Sequence, residues 1–138
     1  MSFVLDFLTD ECKEEFKAIF GSSETAIDFY IHSYVHYKSK GGKSLSEEQI
    51  AAINTAKKVI SDRRNNIYGM EFIYFPQTEY GMEILSMHFE FEEVDPEYWE
   101  DEEGNIHSSL DYTVETVQKA LPDLKVSKNC GGIDIRLI

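Results

Sequence analysis

Apolar residues along this chain recur first at helical spacing and then at every second position, and the period changes near residue 65. Thr9 ahead of Asp10 and Glu11 predicts a capped helix over about 10–20. Cys12, Phe16, Ile19 and Phe20 form its apolar face, and Gly21 stops it. Phe3, Val4, Leu5, Phe7 and Leu8 before it read as an earlier helical turn or an extended arm. Ser22 or Ser23 opens a second helix, about 24–38, with Ile27, Tyr30, Ile31, Tyr34 and Val35 as its buried stripe. Ser46 and Gln49 have the spacing of a capping box for a third, about 47–65, with Ile50, Ile53, Ala56 and Ile60 inward.

The period then becomes two. A strand over about 67–75 places Tyr68, Met70, Phe72 and Tyr74 on one face, and Pro76 ends it. After a hairpin loop at 77–81, a strand over about 82–93 places Leu85, Met87, Phe89 and Phe91 on one face. Its other face is Ile84, Ser86, His88, Glu90 and Glu92, the alternation of a sheet with one covered and one wet side. The connection over 94–109 is acidic, turns at Gly104-Asn105, and suits a small hairpin around Trp99 and Ile106. A fourth helix, about Ser109 to Leu121, buries Val114, Val117 and Leu121 and stops at Pro122. Segments 124–127 and 133–138 read as closing strands joined through Asn129-Cys130-Gly131-Gly132. The predicted class is α+β, with amino-terminal helices packed on one face of a largely antiparallel sheet, in a single domain over 1–138.

At 138 residues the chain is long enough to bury a core without disulfides or metals. No apolar run approaches the roughly 20 residues that span a bilayer. Residues 1–10 carry no basic group ahead of their apolar stretch, so they do not read as a secretory signal. Cys12 and Cys130 lie far apart without metal-ligand spacing and read as reduced thiols of a cytoplasmic protein.

Charge changes the picture. The formal net charge is −13, and its distribution is uneven. Residues 1–64 hold nine Lys and Arg against ten acids, residues 65–118 hold none against fourteen, and residues 119–138 hold four against two. The middle segment thus carries the whole imbalance. Such a balance disfavours non-specific nucleic-acid and anionic-membrane binding and favours a basic partner. The densest stretch, with Glu90, Glu92, Glu93, Asp95, Glu97, Glu100, Asp101, Glu102 and Glu103, is interleaved with Tyr98 and Trp99 and has Phe89 and Phe91 at its start. A solubilising tail has few aromatics. Rings beside carboxylates suit a recognition surface, in which rings anchor and charges steer. These acids, with Tyr98 and Trp99, are the predicted partner-binding residues.

Motifs for chemistry fail on spacing. Gly42-Lys43-Ser44 lacks the first glycine of a phosphate loop, since Tyr37 stands there, and it follows a helix instead of a strand. Asp28, His32 and His36 recur every four residues, but the metalloprotease base is missing between the histidines, so they read as a polar helix face. With Gly104 as the sixth residue of a calcium loop, the first ligand would be Trp99, which excludes it. Acids are too plentiful for a carboxylate pair to single out glycoside chemistry. Cys130 before two glycines reads as a turn thiol. No cofactor, metal site or catalytic group is assigned.

In its acidic excess, its lack of a catalytic motif and its aromatic-rich acidic strand and loop, the chain resembles the small acidic immunity proteins that bacteria pair with polymorphic or contact-dependent growth-inhibition toxins. The resemblance implies a non-enzymatic cytoplasmic inhibitor of one basic toxin domain, often a nuclease. Two other classes share parts of the pattern: a phage-type nucleic-acid mimic that blocks a DNA-binding enzyme, and an enzyme or ligand-binding domain with a deep polar pocket.

Overall fold

Helix starts are set locally by hydroxyls. In the computed structural model, which describes residues 8–93 and 97–138, α1 (Asp10–Phe20), α2 (Glu24–Ser39) and α3 (Glu47–Asp62) each follow a capping side chain. The Oγ atoms of Thr9, Ser23 and Ser46 accept from the amides of Cys12, Ala26 and Gln49 at 3.2, 3.1 and 3.1 Å. Gln49 Oε1 accepts in return from the Ser46 amide at 2.9 Å, so the predicted capping box is formed. Gly21, at φ 96°, turns the chain out of α1 in a conformation that side chains resist. The early arm of Phe3 to Phe7 lies outside the described residues.

Six strands follow, interrupted by one helix: β1 (Asn65–Phe75), β2 (Ile84–Glu93), β3 (Tyr98–Glu100), β4 (Ile106–Ser108), α4 (Ser109–Ala120), β5 (Val126–Asn129) and β6 (Gly132–Arg136). The main sheet has the order β1-β2-β6-β5 with every neighbour antiparallel, and β3-β4 form a separate hairpin. The protein is α+β. β6 lies between β2 and β5, so the carboxyl-terminal strand is inside the sheet. Gly132 is required where β6 meets β2, because a Cβ there would sit 1.9 Å from the Phe89 carbonyl oxygen.

The helices cover one face of the sheet. Phe72 on β1 packs on Phe20 of α1 and Tyr37 of α2, with ring centroids 5.8 and 4.7 Å apart, and Ser33 Oγ of α2 accepts from the Phe72 amide at 2.8 Å. Leu85, Met87, Phe89, Ile133 and Ile135 are fully buried against them. Glu15 of α1 is buried in this layer and accepts from Tyr34 Oη and the Leu45 amide, both at 2.8 Å, with Lys38 Nζ at 3.3 Å. A buried carboxylate needs such partners to remain charged.

Several details depart from the periodic reading: α3 ends at Asp62, three residues early, and in α4 Val117 is buried with Thr113 while Val114 and Leu121 are half-buried. Tyr68 does not share the face of Met70, Phe72 and Tyr74: it is the extra residue of a β-bulge between Ile67 and Gly69 and is exposed. Ile67 takes the inward role instead, packing on the core opposite Phe91. In α2, Tyr37 is buried while Tyr30 and Val35 are only half-buried. The closing strands start two residues later than expected at β5 and end at Arg136. Among the described residues no helix is long and apolar enough to cross a membrane.

Candidate partner-binding surface

The acidic segment builds two adjoining surfaces, and pairing decides which side chains each presents. In the hairpin, Tyr98, Trp99 and Glu100 pair with Ser108, His107 and Ile106. Side chains alternate across a two-stranded ribbon. Trp99 and His107 therefore share the side that packs on α4, where Trp99 stacks on Tyr112 at 4.6 Å and on His107 at 5.5 Å. Tyr98, Glu100 and Ile106 share the other side, and Tyr98 and Ile106 are 71% and 68% exposed. An exposed ring and an exposed aliphatic beside a carboxylate have the composition of an interface anchor.

The turn between β3 and β4 is held by Asp101. One carboxylate oxygen accepts from the amides of Glu103 and Asn105, both at 2.9 Å, and the other from His107 Nε2 at 2.7 Å. The His107 hydrogen bond, with these amides, pulls the Asp101 pKa down to about 2. Asp101 is therefore a structural carboxylate. Glu100, Glu102 and Glu103 are exposed around it.

The end of β2 divides the remaining acids. Glu92 points to the open face of the sheet and is exposed. Glu93 points to the helix side, where one oxygen accepts from Ser109 Oγ at 2.7 Å and ties β2 to the start of α4. Its other oxygen, Oε1, is buried and has no hydrogen-bond partner among the described residues. Glu97 is exposed and holds α4 through its backbone, its carbonyl accepting from the Ser109 amide at 3.0 Å. Asp95 lies outside the described residues. A cleft of about 500 Å³ lies between the hairpin, the end of β2 and the β5–β6 turn, lined by Glu92, Tyr98, Leu110 and Cys130 among others. Cys12 and Cys130 are both free thiols.

The second surface is the open face of the main sheet. His88 sits at its centre with Glu71 of β1 and Asp134 of β6 as cross-strand partners. Its ring contacts Glu90 Oε1 and Asp134 Oδ1, each at 2.5 Å, and is only 6% exposed. Burial opposes its charge, but the two carboxylates prevail and raise its pKa above the ordinary value. Tyr68 Oη donates to Glu90 at 3.3 Å. Glu71, Glu90, Glu92 and Asp134 make no ion pair with Lys or Arg among the described residues.

Of the acids predicted from sequence, the structure thus presents Glu92, Glu97, Glu100, Glu102 and Glu103 outward with Tyr98. It ties Glu90, Glu93, Asp101 and Trp99 into the fold. Glu71, Tyr68, Asp134 and Ile106 join the surface and were not singled out. Glu71 and Asp134 are far from Glu90 in sequence, and only strand register brings them to His88. Comparison of the chain with protein-family models, with curated proteins and with solved structures returns no match.

Proposed function

We propose that this protein is a non-enzymatic cytoplasmic inhibitor of the immunity type, which binds a basic toxin domain, a nuclease by preference, and occludes its active site or nucleic-acid groove. The observation that carries this reading is the outward side of the β3–β4 hairpin. It offers Tyr98 and Ile106 as anchors, with Glu100, Glu102 and Glu103 around them, in a segment with no Lys or Arg. Unpaired carboxylates attract a basic surface over roughly a Debye length, ~8–10 Å at ordinary ionic strength. Contact then depends on the rings, because rim charges set association rate more than final affinity.

The test is association with a basic nuclease toxin domain, followed by stopped flow. Wild type should associate fast and slow steeply with added salt. Reversing Glu100, Glu102 and Glu103 to Lys should slow association by on the order of 10-fold or more at low salt. Folding should be unaffected to within ~0.5 kcal/mol, as expected for exposed positions. Unchanged association rates would remove the hairpin from the interface. Inhibition of several unrelated DNA-binding enzymes would replace a cognate inhibitor with a nucleic-acid mimic.

A further inference from the structure

Two histidines lie in the segment without Lys or Arg, and each stands beside two carboxylates. His88 Nδ1 is 2.5 Å from Asp134 and Nε2 is 2.5 Å from Glu90. A neutral imidazole has one N–H, so it can donate to only one of them, and its other nitrogen would point a lone pair at a carboxylate oxygen. The doubly protonated ring satisfies both contacts at once, because each of its nitrogens then donates to a carboxylate. His107 on the hairpin also faces two carboxylates, with Asp101 hydrogen-bonded to Nε2 at 2.7 Å and Asp111 at ion-pair distance from Nδ1, 3.5 Å.

We propose that these two imidazoliums are the counter-charges of the acidic surface, and that the surface is therefore gated by pH. With both rings protonated, Glu90 and Asp134 are clasped across the sheet and the hairpin turn is pinned to α4. Loss of the two protons makes the surface more negative by two charges, leaves one carboxylate at His88 without the ring's N–H, and removes the charge that faces Asp111 at His107, where Asp111 keeps the Ser108 amide at 2.8 Å.

The surroundings set the order of release. Around His88 stand Glu71 from β1, Glu90 from β2, and Asp134 and Arg136 from β6, while β5 contributes the uncharged Ser127 and Asn129. Asn129 Nδ2 holds the second oxygen of Asp134 at 3.0 Å, whereas the second oxygen of Glu90 has only Tyr68 Oη at 3.3 Å. Glu90 is also the more exposed, 32% against 20%. Glu90 is therefore released first, next to Glu92 on the open face. Around His107, Lys128 occupies the other oxygen of Asp111 at 3.0 Å, and the Trp99 ring covers one side.

Both pKa values are raised above 6.5. A raised folded-state value stabilises the protein fully below the unfolded value, and the contribution disappears as pH rises through the folded value. The clasp therefore opens as pH rises through folded-state values that lie above 6.5, and beyond them the attraction for a basic partner is strongest.

Ring-nitrogen NMR on the free protein tests the charge state, with His88→Gln and His107→Gln giving the assignments. Both rings should titrate above 6.5; either ring titrating at or below that value overturns its part. Trp99 reports His107 independently, because a stacked imidazolium quenches indole emission: a rise in emission with pH should vanish in His107→Gln. Octa-arginine with an acetylated amino terminus, whose charge is constant over this range, tests the gate. At low salt its affinity should rise by roughly 3-fold or more from about pH 6 to about pH 8.5 in wild type, less in the double variant. Equal pH dependence in both overturns the gate. Should His88→Gln unfold the sheet, Glu90→Gln removes one carboxylate and should lower the ring's titration point. The consequence for a toxin partner rests on the inhibitor reading, which fails separately if the toxin domain is not bound at any pH.

Discussion

Trp99→Ala removes the ring that joins the hairpin to α4. The indole is half-buried and stacks on Tyr112 and His107. An aromatic buries ~150–250 Å² when fully enclosed, so about half of that, ~100 Å², at ~25 cal/mol per Å² gives about 2.5 kcal/mol. The two stacking contacts add ~0.5–1.5 kcal/mol each, of which His107 keeps none and Tyr112 keeps its contact with Arg63 at 5.8 Å. A loss of at least about 3.5 kcal/mol follows, and it falls first on the hairpin, which forms its own small sheet. Hydrogen exchange is the assay. The Asp101 amide bonds Asn105 O at 2.9 Å and the Ser109 amide bonds Glu97 O at 3.0 Å, so both report closure of the hairpin. At ~1.4 kcal/mol per tenfold, about 3.5 kcal/mol should speed their exchange by roughly 300-fold, with little change at the centre of β2. Exchange at both amides within ~3-fold of wild type would refute the reasoning, since the stack would then contribute well under 1 kcal/mol. The same packing makes Trp99 a poor direct anchor, and the outward ring is its neighbour Tyr98.

Tyr98→Ala should leave thermal stability within ~0.5 kcal/mol and weaken partner binding by ~2 kcal/mol or more, measured by calorimetry; unchanged binding would move the anchor elsewhere. Gly132→Ala would place a Cβ 1.9 Å from the Phe89 carbonyl oxygen, so β6 must move off β2. Urea unfolding should show a loss of ~2–4 kcal/mol, from ladder hydrogen bonds at about 1 kcal/mol each and the packing of Ile133 and Ile135. Asp101 has its pKa lowered to about 2 from 3.8, so its stabilisation of the turn is present above 3.8 and is lost as pH falls through about 2. Hairpin amides should accordingly keep their protection at about pH 3.5, and Asp101→Ala should abolish it at neutral pH.

Much of this is legible in the sequence, for a local reason. Thr9, Ser23 and Ser46 act on amides three residues away, so the starts of three helices are short-range chemistry. The alternation of Leu85 to Phe91 assigns the covered face of β2, and the run without Lys or Arg assigns the charge imbalance to one part of the chain. The alternation fails at Tyr68, where one inserted residue reverses the parity of everything before it, and a bulge shows only against a partner strand.

The chain by itself determined the α+β class, the helix caps and the location of the acidic excess, because propensity, capping and charge count depend on neighbours within a few residues. Tertiary structure alone decided which acids face outward. Glu93 and Asp101 belong to the same acidic run as Glu92 and Glu100, yet Ser109, His107 and turn amides take up the first two. It also decided that His88 meets Asp134, 46 residues away, because β6 inserts between β2 and β5. Strand order and register are set by closing one core from distant segments, and a free energy summed over the whole sheet leaves no mark on any single stretch of sequence.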